Sequence, residues 1–166
     1  MNLPRQGAKF CSQKCGTYFR RALKHKSVFP VEMTSRDRWL RRAADKRPLT
    51  VDGKAGSSTN PRTWTSFAAA SASDAGVGLG FVLGDGIGCI DLDHCFENGS
   101  LAHWAADFMH GITDPVLFAE VSQSGEGVHI FIEAQEAPGR KIRDGRNIER
   151  YTAGRYIAVT GNRLTL

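Results

Sequence analysis

Between residues 65 and 139 the sequence has no lysine or arginine, although it carries eleven Asp and Glu there. Ordinary surfaces intersperse both signs, so a block of this kind needs a reason. Long hydrophobic runs are also missing. None approaches the roughly 20 apolar residues of a membrane helix, and the opening MNLPRQGAKFCSQK lacks the apolar stretch of a secretory signal. A cytoplasmic protein with no membrane partner is expected. Cysteine is sparse, at positions 11, 15, 89 and 95, too thin for a disulfide framework. Structural zinc wants four N or S ligands in spaced pairs, and Cys11 and Cys15, with His25 beyond, make only one pair. Zinc is therefore not expected. No internal repeat or low-complexity stretch occurs. With 166 residues, 41% of them hydrophobic, the chain can build one domain with a real core.

Basic residues are gathered at the two ends. Residues 1–64 carry fifteen Lys and Arg against four acids, and residues 140–166 carry seven against two. If these blocks converge in the fold, the basic arms suit a polyanion and the acidic centre suits hard cations, which take carboxylate oxygens. The competing reading is that the blocks face apart and the acids form a solvated surface.

Residues 1–30 read as a basic N-terminal arm and 31–166 as the folded domain. Ser35 followed by RDRWLRRAADK, with apolar positions at Trp39, Leu40, Ala43 and Ala44, predicts a short amphipathic helix with a basic outer face. KRPLTVDGKAGSSTNP is loop chemistry, and Thr63 is the expected cap of a second helix, WTSFAAASAS. Two apolar runs around Asp85-Gly86 predict a hairpin of strands near 78–83 and 87–93. Ser100 is the expected cap of LAHWAADFMHGI. PVLFAEVSQSG and VHIFIEA read as two strands joined by a Gly-rich turn, and NIERYT and RYIAVTG as two more. The fold class is α+β, a mostly antiparallel sheet covered by helices on one face.

Asp91 and Asp93 lie two apart in IDLD, so in a strand their carboxylates share a face about 6–7 Å apart. Like charges repel there unless a cation offsets them, and two hard oxygen ligands suit Mg²⁺ or Mn²⁺. A solvated strand edge is the alternative. His129 follows SQSGEGV, where Ser124, Gly125 and Gly127 form a turn whose amides can approach a phosphate closely. It shares a strand face with Phe131 and Glu133; a structural histidine is the alternative. Glu149 in NIERY is a third carboxylate candidate. Arg140, Lys141, Arg143, Arg146, Arg150 and Arg155 surround it in sequence, and the guanidinium fork matches phosphate oxygens.

IDLDHC, SGEGVHIFI and IERY with GRYIAVTGN occur in the order and spacing of the three motifs of the archaeo-eukaryotic primase superfamily. Together with the lead-in KRPL, DG, SSTNPRTW and GLGFVL, the segment from about 36 to 164 resembles the prim-pol domain at the N-terminus of phage and plasmid replication proteins. The resemblance implies an RNA-recognition-like catalytic sheet and a primase and DNA polymerase that transfers nucleotides with two metals, Mg²⁺ or Mn²⁺. It implies that Asp91, Asp93 and Glu149 hold the metals, and that His129, with Ser124 and Gly125 nearby, meets the phosphates of an incoming NTP or dNTP. Arg143 and Arg155 are the expected further contacts to triphosphate or template. A single-stranded DNA template is expected along Arg38, Arg41, Arg42, Lys46, Arg47 and the N-terminal arm. Relatives usually continue into a helical region and a replicative helicase, so the domain is expected to be truncated and a helicase to be a further partner. The alternatives are a non-catalytic DNA- and nucleotide-binding replication module and a metal-dependent nuclease, which has no need of the SGEGVH turn.

Overall fold

Nine of the eleven strands among the described residues form two main sheets, and the cleft between these holds the candidate site. The computed structural model describes residues 27–165; Cys11, Cys15, His25 and most of the expected arm lie outside them. The described elements run α1 (Val31–Thr34), β1 (Trp39–Arg42), β2 (Pro48–Leu49), a 3-10 turn (Pro61–Thr63), α2 (Phe67–Ala72), β3 (Gly78–Val82) and β4 (Ile87–Asp93). They continue through β5 (Phe96–Glu97), β6 (Ser100–Leu101), α3 (His103–His110), β7 (Val116–Val121), β8 (Val128–Glu133), β9 (Arg140–Ile142), β10 (Asn147–Tyr151) and β11 (Tyr156–Val159).

The larger sheet has the order β7-β8-β4-β10-β9 and the smaller β11-β3-β1-β2; β5 and β6 pair by themselves. Every strand pairing among the described residues is antiparallel. This is the α+β class that the sequence predicts, with the strands divided between two sheets.

Alternation along the strands decides what each face of the larger sheet does. Ile90, Leu92, Val128, Ile130, Ile132, Ala119 and Ile148 point one way and pack with Ala105, Trp104 and Phe108 of α3. Cys89, Phe118 and Phe131 point the other way, into a core shared with Trp39, Phe81, Leu83 and Val159 of the smaller sheet and its flanks. Phe29, Trp39, Phe67 and Phe81 meet edge-on there, with ring centroids 4.8–6.0 Å apart. The polar residues one step further along this second face are those of the site.

Four sequence expectations are corrected. Residues 36–47 form strand β1 and a turn, not a helix. Trp39 and Leu40 point to opposite faces of a strand paired on both sides by β2 and β3, and both are fully buried; Ser35 ends α1 instead of opening a helix. The strands at 78–82 and 87–93 exist but do not form a hairpin ladder. Gly84 and Ile87 exchange backbone bonds, and the turn holds Gly84, Asp85 and Gly86 all at positive φ. Beyond it β3 is flanked by β1 and β11, and β4 by β8 and β10. Ser66, not Thr63, caps α2, its hydroxyl accepting from the Ala69 amide at 3.2 Å. Ser100 lies in β6, and α3 starts after Ala102 without a side-chain cap.

Candidate active site

Five strands each contribute one side chain to a single row across the larger sheet. The register pairs Glu120 of β7 with His129 of β8, His129 with Asp91 of β4, Asp91 with Glu149 of β10, and Glu149 with Lys141 of β9. Cross-strand partners share a face, so acid, imidazole, acid, acid and ammonium line up on the side that faces the smaller sheet. Asp93 lies two residues along β4, opposite Asn147. The cleft above the row has a volume of about 190 Å³ and is lined by Lys46, Asp91, Gln123, His129, Tyr156, Ile157 and Ala158.

Asp91 is the poorly satisfied member. Its Oδ1 is buried and has no hydrogen-bond partner among the described residues; His129 Nε2 stands 3.8 Å away, beyond hydrogen-bond range. Burial raises the carboxyl above its ordinary range, the nearby imidazole of His129 opposes this, and the charges of Asp93 and Glu149 add to it. Asp93 accepts from Asn147 Nδ2 at 3.2 Å. Two carboxylates, one with an orphaned oxygen, form a donor set that fits a hard divalent cation.

Glu149 is satisfied by protein groups. Lys141 Nζ lies 3.0 Å from its Oε1, Arg143 makes a close ion pair with the same oxygen, and the Tyr151 hydroxyl donates to Oε2 at 2.7 Å. Burial pushes this carboxyl upward, but the bonds from Tyr151, Lys141 and Arg143 outweigh it and hold Glu149 down at about 2. Arg155 stacks on Tyr151, 4.3 Å from the ring centre, and donates to its hydroxyl at 2.9 Å. Arg143 and Arg155 thus both reach Glu149, one directly and one through Tyr151. No three His, Cys, Asp or Glu side chains among the described residues stand close enough to make a ready-built metal site, and Glu149 is bonded to Lys141 and Arg143 at the β9 edge.

His129 is nearly buried, with Nδ1 3.0 Å from Glu120 Oε1. The turn before it is set by glycine: Gly125 has φ +79°, and its amide donates to the Ser122 carbonyl at 3.0 Å. Ser124 and Gly125 are exposed at the tip, and Ser124 bonds to Ser122 and the Glu126 amide; Gln123 is the turn residue that lines the cleft.

Arg38 donates to the carbonyls of Val82 and Leu83. Arg41 donates to those of Ala75 and Ala70, and Arg42 is buried. Arg38 and Arg41 thus hold the smaller sheet and its flanks together, while Arg42 reaches only the Ala43 carbonyl at 3.5 Å and its Nε has no partner among the described residues. Arg47 is exposed and paired with Asp45. Lys46, at φ +68° on the β1–β2 turn, reaches over the cleft beside Asp91.

Sequence reasoning missed Glu120, Gln123, Tyr151 and Tyr156. Glu120 carried a usable signal, a lone acid inside the apolar run VLFAEV. Tyr156 carried another: it lies on β3 only because Gly80 has no side chain, since a Cβ there would fall inside the tyrosine ring.

A DNA primase-polymerase of Nitratiruptor phage NrS-1 is 32% identical over 135 residues, an alignment covering 74% of this chain and 18% of that protein. No helix among the described residues is long and apolar enough to cross a membrane. The family model for the N-terminal domain of bifunctional DNA primase/polymerases matches residues 19–165, so every described element, including the whole charged row, falls within the match, and the chain belongs to that family.

Proposed function

We propose that this domain performs template-directed nucleotidyl transfer as a DNA primase and polymerase, using NTP or dNTP on single-stranded DNA. The observation that carries the reading is the buried, unpartnered Oδ1 of Asp91, set beside Asp93 and His129 in a cleft roofed by Lys46. The primer 3′-oxygen displaces pyrophosphate from the α-phosphorus of the incoming nucleotide, so that one P–O bond forms as another breaks. Asp91 and Asp93 are the residues to hold Mg²⁺ or Mn²⁺, and Glu149 completes the set. When bound, such cations favour the deprotonated 3′-hydroxyl and neutralise the departing pyrophosphate.

The protein's own cations do the rest. Lys46 and His129 face the cleft and are placed to receive the triphosphate. Lys141 and Arg143 neutralise Glu149 in the free protein and can exchange its oxygens for phosphate oxygens of nucleotide or template, since a guanidinium fits both. Arg155 keeps Tyr151, and through it Glu149, in place. The exposed Arg47 and the basic N-terminal residues supply sequence-independent contacts to the template, and a helicase is a partner for the replicating complex.

The experiment is incorporation of labelled nucleotide on a single-stranded template with Mg²⁺ or Mn²⁺, comparing wild type with the Asp91→Ala, Asp93→Ala double variant. Incorporation falls by at least about a hundredfold in the variant, while DNA affinity at moderate salt stays within about twofold. Equal loss of DNA binding and incorporation would break this division of labour. Degradation of DNA in the absence of nucleotide would point to a nuclease instead.

A further inference from the structure

Glu120 is fully buried in β7 and lies outside the metal-ligand set. A carboxylate in that position must have its oxygens satisfied, or the fold would reject it. Oε2 accepts from the backbone amides of Thr160 at 3.0 Å and Gly161 at 2.8 Å. The Thr160 hydroxyl, which also reaches the Val121 carbonyl at 2.7 Å, stands 3.2 Å from the same oxygen. Amides can only donate, so Oε2 is committed as an acceptor and the carboxylate plane is fixed. That leaves Oε1 for one partner, His129 Nδ1 at 3.0 Å.

From this geometry we infer that Glu120 is the positioning residue of His129. It draws the ring hydrogen onto Nδ1 and turns Nε2 into the cleft, and it is itself held by the Thr160-Gly161 turn that follows β11. The inference rests on the reading of His129 as a nucleotide contact. It extends that reading to a residue on a third strand and to a turn some forty positions further along the chain. The same turn is stapled to β7 by the Val121 amide on the Asn162 carbonyl at 2.8 Å and the Leu164 amide on the Ala119 carbonyl at 2.8 Å, so the C-terminal segment and the strand that carries Glu120 are held together. A histidine ring whose far nitrogen is held by a carboxylate has one tautomer and one orientation.

The test uses Glu120→Gln, which keeps the volume and an oxygen for the Thr160 and Gly161 amides but presents an amide NH₂ to Nδ1. Nitrogen-15 spectra of the imidazoles in the free protein at alkaline pH report the tautomer without any ligand. The wild type shows the hydrogen on Nδ1, Glu120→Gln moves it to Nε2, and Glu120→Asp keeps it on Nδ1. Nucleoside triphosphate binding with Mn²⁺ weakens about tenfold or more in Glu120→Gln and recovers largely in Glu120→Asp. In a His129→Ala background the Glu120→Gln change adds less than about twofold, because its effect passes through the ring.

An unchanged tautomer in Glu120→Gln overturns the inference, and so does an equal loss of nucleotide binding with and without His129. If Glu120→Gln does not fold, Glu120→Asp decides: a hydrogen found on Nε2 there is equally contrary. A His129→Ala protein that binds nucleotide like wild type sinks the nucleotide reading of His129, an outcome separate from the ligand-free tautomer result.

Discussion

Asp91 and Glu149 face each other across one ladder position and are pushed in opposite directions. Burial, the first cause at Asp91, raises its carboxyl above the ordinary 3.8. A raised folded-state value means that Asp91 favours the fold below pH 3.8 and loses that contribution as pH rises through the folded value. At neutral pH its charge therefore works against the metal-free fold. Asp91→Asn should raise the melting temperature of the metal-free protein at pH 7 while abolishing the further rise that Mn²⁺ gives the wild type; a melting temperature lowered by this variant would contradict the account. Glu149 is the converse. Bonded by Tyr151, Lys141 and Arg143, it is held at about 2 against an ordinary 4.5, so it stabilises the fold above pH 4.5 and that contribution is lost as pH falls from 4.5 toward 2. Acid unfolding followed by circular dichroism should show a flatter limb over that window in Glu149→Gln. An unaltered limb would mean that these ion pairs do not form in solution.

At the scale of elements, β1 and β3 carry the smaller sheet that roofs the cleft. Trp39 is fully buried, and its indole N–H donates to the Met33 carbonyl at 3.0 Å. Trp39→Ala should cost about 3–5 kcal/mol in denaturant unfolding; a loss below about 1 kcal/mol would show that β1 does not anchor the sheet. Gly80→Val should displace Tyr156 from β3 and weaken nucleotide binding along with stability, because that ring lines the cleft.

β1 is also where the sequence misled. Trp39, Leu40, Ala43 and Ala44 mimic a helical stripe, but the segment is a short strand buried on both faces, and its arginines satisfy carbonyls instead of facing solvent. Asp91, Asp93 and His129 were legible because strand alternation alone places them on faces. Glu149 was legible only as a candidate, since its meaning depends on β10 pairing with β4. Glu120 carried the signal of a lone acid in an apolar run, but its pairing with Thr160 and Gly161 was not legible, because forty residues separate them and only the folded-back C-terminal segment brings them together.

The whole molecule separates charge by task. The segment without lysine or arginine supplies Glu120, His129 and Asp91 of the row, and the basic blocks supply its roof at Lys46, its far end at Glu149 and Lys141, and the N-terminal residues. Binding to single-stranded DNA should weaken steeply between 50 and 200 mM salt, with little dependence on base sequence, and removal of residues 1–26 should reduce the slope of log affinity against log salt. An unchanged slope would place the template elsewhere. The most direct measurement on the central claim is uptake of Mn²⁺ with a nucleoside triphosphate, followed by electron paramagnetic resonance in wild type and in the Asp91→Ala, Asp93→Ala variant. The account predicts protein-bound Mn²⁺ in the wild type and free Mn²⁺–nucleotide alone in a variant that is still folded. Equal Mn²⁺ uptake by both proteins would contradict it.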